Sequence, residues 1–269
     1  MVRVPSRRRS KADEGYFSPS PPRILAHRGL ALEAPENSLL AFLKALAVGA
    51  THLETDVHAS LDGVAVIAHD PDLSRVAGRE LRIDQLTMAE LRRIDLGDGQ
   101  TFASLAETLD AFPDAKFNID IKTMDAAAPA AEAISAAAAT DRVLVTSFDE
   151  KRRRAAVDLL PGVASSASAA LLVQALSGVR LGVSSLTRRA LAGLSAVQVP
   201  EKMNGIRVVS ARTVRAFHAA GVEVHVWTVN DPLDMARLLD LGVDGIVTDR
   251  ADLGLELLAG RTLRDDLTS

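Results

Sequence analysis

The chain alternates short apolar runs with amphipathic stretches along most of its length, and this rhythm is the strongest constraint on how it can fold. RILAH at 23–27 reads as a strand. After it, Leu39, Phe42, Leu43 and Leu46 recur at helical spacing, with Asn37 or Ser38 placed to cap the helix and Gly49 to close it. The same strand-then-helix pattern recurs for runs that end near Val57, Lys122, Phe148, Ala167, Pro200, Asn230 and Asp249. Eight βα units in 269 residues predict an α/β protein of the TIM (β/α)8 barrel type rather than a doubly wound open sheet.

One stretch does not fit the simple repeat. Leu53 to Asp70 is rich in β-formers and carries Asp62-Gly63 in its middle. Val64 to His69 follows the second strand too closely for a parallel crossover, so it must return antiparallel. The expected result is a β-hairpin extension on strand two. A two-residue loop at Asp62-Gly63 would set Asp56 opposite His69, with Glu54 and Asp56 on one face of their strand. Residues 71 to about 99, with helical LTMAELRRI inside, read as an excursion on one face of the barrel.

The expected organisation is a disordered basic N-terminal tail at 1–22, a barrel domain at 23–259 and a C-terminal tail at 260–269. Arg3, Arg7, Arg8, Arg9 and Lys11 are followed by SPSPP and by no apolar segment, which is the pattern of a solvated tail and not of a secretory signal. The expected location is therefore cytoplasmic. No run is apolar enough to cross a bilayer, so no stable membrane insertion is expected. A net charge of −4 gives no support for a nucleic-acid partner, and the absence of cysteine excludes disulfides and thiolate chemistry.

Active sites of such barrels collect at the carboxyl ends of the strands. Strand one ends in His27-Arg28, strand two holds Glu54 and Asp56, and the hairpin returns His69. In FNIDIK, alternation sends Phe117, Ile119 and Ile121 out to the helices and leaves Asn118, Asp120 and Lys122 inside. Charges enclosed in a barrel need partners or a metal. Glu54, Asp56 and Asp120 form an all-oxygen ligand set that favours Mg²⁺ or Ca²⁺ over zinc. With such an ion, Arg28 and Lys122 leave the site one positive charge in excess, suited to a phosphodiester. His27 and His69 can supply general acid and base, each contributing about 10² to 10⁴ in rate. His52, His58, His218 and His225 read as packed or surface histidines, and Glu201-Lys202, after strand six, either reach the substrate or form a loop salt bridge, the second being favoured. Trp227 either lines the pocket or fills the barrel.

Several of these segments together carry a likeness: AHRG at 26–29, APENSLLAF at 34–42, LETDV with LDG, AHD at 68–70, FNIDIK, TSF, VWTVN and GVDGIVTD. Their order and spacing resemble the glycerophosphodiester phosphodiesterase family. The resemblance implies a TIM-type barrel that hydrolyses a small-molecule glycerophosphodiester to sn-glycerol 3-phosphate and an alcohol, with Mg²⁺ or Ca²⁺ as cofactor. It implies Glu54, Asp56 and Asp120 as metal ligands, His27 as base, His69 as acid, and Arg28 and Lys122 as phosphate contacts. On the family scheme the glycerol 2-hydroxyl attacks phosphorus and water then opens the cyclic phosphate. Asp120 stands where the family pattern usually carries Glu, and Ser38, Ser60 and Val76 where it often carries Thr. Two other readings compete: a phospholipase D-like hydrolase of lysophospholipids, and a catalytically silent barrel that binds phosphodiesters. The first wants an apolar surface at the barrel mouth, whereas the loops after the strands read as polar or small. Retention of both histidines and three carboxylates counts against the second.

Overall fold

The computed structural model describes residues 15–203 and 205–268. Eight parallel strands form the barrel: β1 (Arg23–His27), β2 (His52–Ala59), β4 (Lys116–Ile121), β5 (Val143–Thr146), β6 (Ala164–Ser165), β7 (Ala196–Pro200), β10 (Glu223–Trp227) and β11 (Gly245–Thr248). Their order is β6-β5-β4-β2-β1-β11-β10-β7, and a parallel bridge between Ser166 and Ala196 joins the two ends. These are the eight strands that the apolar runs predict.

Alternation within the strands builds the helix-facing core. In β4, Phe117, Ile119 and Ile121 are fully buried under the surrounding helices, whereas Asn118, Asp120 and Lys122 line the barrel cavity. Phe117 meets Phe42 of helix Leu39–Ala47 edge-to-face, with ring centroids 5.9 Å apart. That helix begins at Ser38, whose hydroxyl accepts from the Ala41 N–H. Asn37, the other candidate cap, is free to point elsewhere. Gly29 permits this helix to sit close: its φ is 84°, and a Cβ there would stand 2.6 Å from the Ala41 carbonyl carbon.

β3 (Ala65–Ile67) returns antiparallel to β2, so the hairpin forms, but its register differs from the expected one. Val57 pairs with Ile67 and Ala59 with Ala65, and the Ala68 N–H donates to Asp56 O, so Ala68 and not His69 lies opposite Asp56. The cause is the loop. A two-residue type I′ turn would need left-handed backbone at both Asp62 and Gly63; only Gly63 has it, at φ 76°. The loop is therefore three residues long. Ser60 closes it, its hydroxyl donating to Asp62 Oδ1 at 2.6 Å and accepting from the Val64 N–H at 2.9 Å. Residues 71–102 form the expected excursion, with a small core of Leu73, Ile83, Met88, Leu91, Ile94 and Phe102 packed on Val66 and Ala68.

The tail expected at 1–22 falls mostly outside the described residues, but its last part is ordered: Tyr16 is buried against Leu144 and Ala196 at the amino ends of the strands. The Tyr16 N–H donates to Asp141 O, and its carbonyl meets His52 Nε2 at 2.6 Å. At the other end, helix Ala251–Thr268 runs unbroken through the segment expected as a tail. A helix at Ser184–Ala190 and a short hairpin, β8 (Lys202–Met203) with β9 (Ile206–Arg207), were not legible as separate elements. Among the described residues, no helix is long and apolar enough to cross a membrane.

Candidate active site

The carboxyl ends of the strands enclose a cavity of about 440 Å³. All eight residues singled out above line it: His27, Arg28, Glu54, Asp56, His69, Asp120, Lys122 and Trp227. β1 and β2 bring His27 level with Glu54 in the parallel register, and β2 and β4 bring Asp56 level with Asp120. His69 reaches the cavity from the turn after β3 rather than from a paired strand position.

His27 is held from two sides. Its Nδ1 donates to Asp249 Oδ1 at 2.6 Å, which leaves Nε2 facing the cavity, 3.9 Å from Glu54 Oε2. Burial alone would lower the imidazole pKa, but the Asp249 hydrogen bond and the charge of Glu54 outweigh it and raise the value. Asp249 is fixed in turn by Asn230, whose amide donates to Oδ2 at 2.7 Å. Neither residue was singled out from sequence, although each follows the carboxyl end of a barrel strand.

Arg28 has φ 56°, a left-handed conformation that costs a non-glycine residue energy and turns its backbone N–H onto Glu54 Oε2 at 3.1 Å. Its Nη1 donates to Glu36 at 3.0 Å, and its Nε lies 3.3 Å from Asp56 Oδ2. Asn37, also left-handed at φ 54°, donates to Asp56 Oδ2 at 3.1 Å and accepts from the Thr55 hydroxyl at 2.8 Å. The sequence offered Asn37 only as a helix cap; here it supports a buried carboxylate.

Lys122 stands between two carboxylates, with Nζ 2.6 Å from Asp56 Oδ1 and 2.7 Å from Asp120 Oδ2. Burial would raise the Asp56 pKa, but the Lys122 ammonium holds it below the usual range. Asp120 is raised, chiefly by burial. Burial and the neighbouring Asp56 push the Glu54 carboxyl up to about 8.

The donor chemistry fits a hard divalent ion: three buried carboxyl groups, with Asp120 Oδ1 and Asn118 Oδ1 buried and without a hydrogen-bond partner. Among the described residues, however, no group of three or more His, Cys, Asp or Glu side chains is gathered at ligand spacing. Lys122 occupies the space between two of the three carboxylates.

The opposite wall of the cavity is apolar. Phe148, Ala169, Leu172, Val173, Met203 and Trp227 line it, and Phe148 is 58% exposed at the mouth. Trp227 and Phe148 meet edge-to-face at 5.8 Å. This corrects the expectation that the loops after the strands are polar or small: Phe148 directly follows TS after β5, and Leu172 and Val173 lie on the first turns of helix Ala169–Leu181. Glu201 is not among the residues that line the cavity; it pairs with Arg237 of helix Pro232–Asp240 at 2.8 Å.

The molecule is thus a TIM-type barrel whose carboxyl-terminal mouth gathers two carboxylate-held histidines, an arginine, a lysine and three buried carboxyl groups, a set suited to acid–base chemistry on an anionic group. Residues 27–253 match the family model described as the glycerophosphoryl diester phosphodiesterase family. A probable glycerophosphodiester phosphodiesterase 2 of Mycobacterium tuberculosis is 43% identical over 239 residues, which span 88% of this chain and 90% of that protein. The crystal structure of a glycerophosphodiester phosphodiesterase from Thermotoga maritima is 28% identical with a TM-score of 0.69, over 87% of this chain and 97% of its own. A phosphodiesterase from Oleispira antarctica, solved in complex with the product sn-glycerol 3-phosphate, shares the fold with a TM-score of 0.75 at 23% identity, over 89% of this chain and 97% of its own. The chain belongs to the glycerophosphoryl diester phosphodiesterase family.

Proposed function

We propose that this protein hydrolyses glycerophosphodiesters to sn-glycerol 3-phosphate and an alcohol, with a divalent metal, Mg²⁺ or Ca²⁺, as cofactor. The observation that carries the reading is the His27 arrangement: a histidine whose Nδ1 is fixed by Asp249 and whose Nε2 faces a cavity of phosphate-binding and carboxylate side chains. The anchored ring presents Nε2 as a base, and the Asp249 carboxylate stabilises the imidazolium that forms. His27 takes the proton of the attacking glycerol 2-hydroxyl; as the bond from phosphorus to the departing oxygen breaks, His69 delivers a proton to that oxygen. Water then opens the cyclic phosphate. The Nδ1 of His69 is occupied by Asp70 at 2.7 Å, so its Nε2 is the atom that transfers the proton.

Arg28 presents a guanidinium fork to the phosphoryl oxygens. Lys122 has three N–H donors, two of them engaged by Asp56 and Asp120, and the third serves an oxygen of the substrate. Glu54, Asp56 and Asp120 would hold the divalent ion, which when bound neutralises phosphoryl charge and lowers the pKa of the attacking hydroxyl. Release of glycerol 3-phosphate from glycerophosphocholine is the direct assay. Activity is expected to disappear on full chelation, to return with Mg²⁺ or Ca²⁺, and to fall about 10² to 10⁴-fold in His69→Ala. Undiminished turnover under chelation or in that variant would exclude this mechanism.

The apolar wall favours a second reading, in which the glycerol that stays on phosphorus carries an acyl chain, as in a lysophospholipid, and the departing alcohol is the head group. Phe148, Leu172, Val173 and Met203 offer surface that a small polar head group does not use. Comparing kcat/KM for glycerophosphocholine and lysophosphatidylcholine decides between the two.

A further inference from the structure

We propose that Arg75, which lies on the excursion and on no barrel strand, is a positioning residue that sets both His69 and Arg28 for the hydrolysis proposed above, on which this inference rests. Its guanidinium joins two carboxylates from separate parts of the chain. Nε donates to Asp70 Oδ2 at 2.6 Å, while Nη1 and Nη2 donate to the two oxygens of Glu36 at 3.0 and 2.6 Å. Each carboxylate passes the constraint on. Asp70 Oδ1 accepts from His69 Nδ1 at 2.7 Å, and Glu36 Oε1 accepts from Arg28 Nη1 at 3.0 Å. One side chain outside the barrel thereby fixes the ring of the proposed acid and the fork of the proposed phosphate ligand.

Two features set this arrangement apart from an ordinary surface ion pair. Spanning two carboxylates with one planar fork uses Nε and both terminal nitrogens, which a lysine ammonium cannot reproduce. Beside it, a cavity of about 230 Å³ is lined by Glu36, His69, Asp70 and Arg75, with Val76 and Phe102. Close packing therefore does not hold Asp70 and Glu36 on that side, and without the fork both have room to rotate. The Arg75 side chain is itself half exposed, so the network contributes little to folding stability.

The test uses the full chain with Arg75→Gln, Arg75→Lys and Glu36→Gln. We expect Arg75→Gln to lower kcat on glycerophosphocholine about 10- to 100-fold, the scale of a misplaced reacting group, with a smaller change in KM and an unaltered thermal midpoint. Arg75→Lys keeps the charge and fails to restore kcat. Glu36→Gln combined with Arg75→Gln is no worse than the more damaging single change, because the residues act as one unit. The ¹⁵N signals of the His69 ring, recorded without substrate, shift in Arg75→Gln and Arg75→Lys alike. Unmoved His69 signals with parental kcat, full activity in Arg75→Lys, or a loss of activity that only tracks a lowered thermal midpoint would each overturn the proposal. Should the parent protein release no glycerol 3-phosphate, the proposed function fails, and the His69 signals still decide whether Arg75 positions that ring.

Discussion

Asp249 illustrates how one carboxylate can decide what a histidine does. By accepting from Nδ1 it selects the tautomer of His27 that presents Nε2 to the cavity, and it opposes the effect of burial on the ring. Asp249→Asn is expected to lower kcat about 10²-fold, the scale of one acid–base contribution, with the circular dichroism spectrum unchanged; wild-type turnover in this variant would remove Asp249 from the mechanism. The place of His27, Glu54, Asp56, Asp120 and Lys122 on the cavity wall was legible because each sits on or just beyond an apolar strand, where alternation fixes its side; His69 reaches the same wall from a turn, by a register that was not legible. Asp249 and Asn230 stood at equivalent strand ends, and that position was the signal for them. Glu36 and Asn37 lie in a turn and Arg75 in a helix of only four residues, Ser74–Ala77, and neither carries a readable period. What they contact depends on left-handed backbone at Asn37 and on how the excursion docks, and neither is written in local sequence.

At the level of elements, the hairpin on β2 shows what a turn motif does and does not specify. Asp62-Gly63 correctly marks a reversal, yet whether the loop has two residues or three depends on how many of them adopt left-handed backbone. Ser60 and Asp62 settle it by bonding to each other, and Asp62 Oδ1 also accepts the Met88 N–H, which ties the loop to the excursion. The one-residue difference moves His69 out of strand pairing and into the turn. Gly63→Ala is therefore expected to destabilise the fold by about 1 kcal/mol, the cost of forcing an L-residue into that conformation, whereas Gly63→Asn costs less. Urea unfolding of the two variants measures the difference, and equal midpoints would contradict left-handed backbone at Gly63. Existence and order of the barrel strands were legible because a buried strand declares itself by composition; register was not, because it turns on single hydrogen bonds.

For the molecule as a whole, the floor of the barrel is a polar cluster under strain from burial. Arg23, almost wholly enclosed, pairs with Glu223, and Glu223 also accepts from His225 at 3.1 Å. Burial would raise the Glu223 pKa, but the His225 hydrogen bond and the Arg23 charge hold it below the usual carboxylate range. A carboxyl lowered by folding stabilises the native state fully above its unfolded value, and that contribution is lost as pH falls through the folded value. Glu223→Gln should thus cost about 3 kcal/mol at pH 7 by leaving Arg23 uncompensated, with the gap to the parent narrowing as pH falls below about 4.5. Urea midpoints at pH 7 and 4 test this; a gap that stays constant would assign the loss to packing. The barrel class was legible from the βα rhythm alone, whereas the ordered segment from Gly15 was hidden by a composition typical of solvated chain. That segment packs Tyr16 against Leu144 and Ala196 at the amino ends of the strands, away from the residues that line the candidate cavity. A ligand of that cavity thus enters among the loops that follow the strands and not past Tyr16.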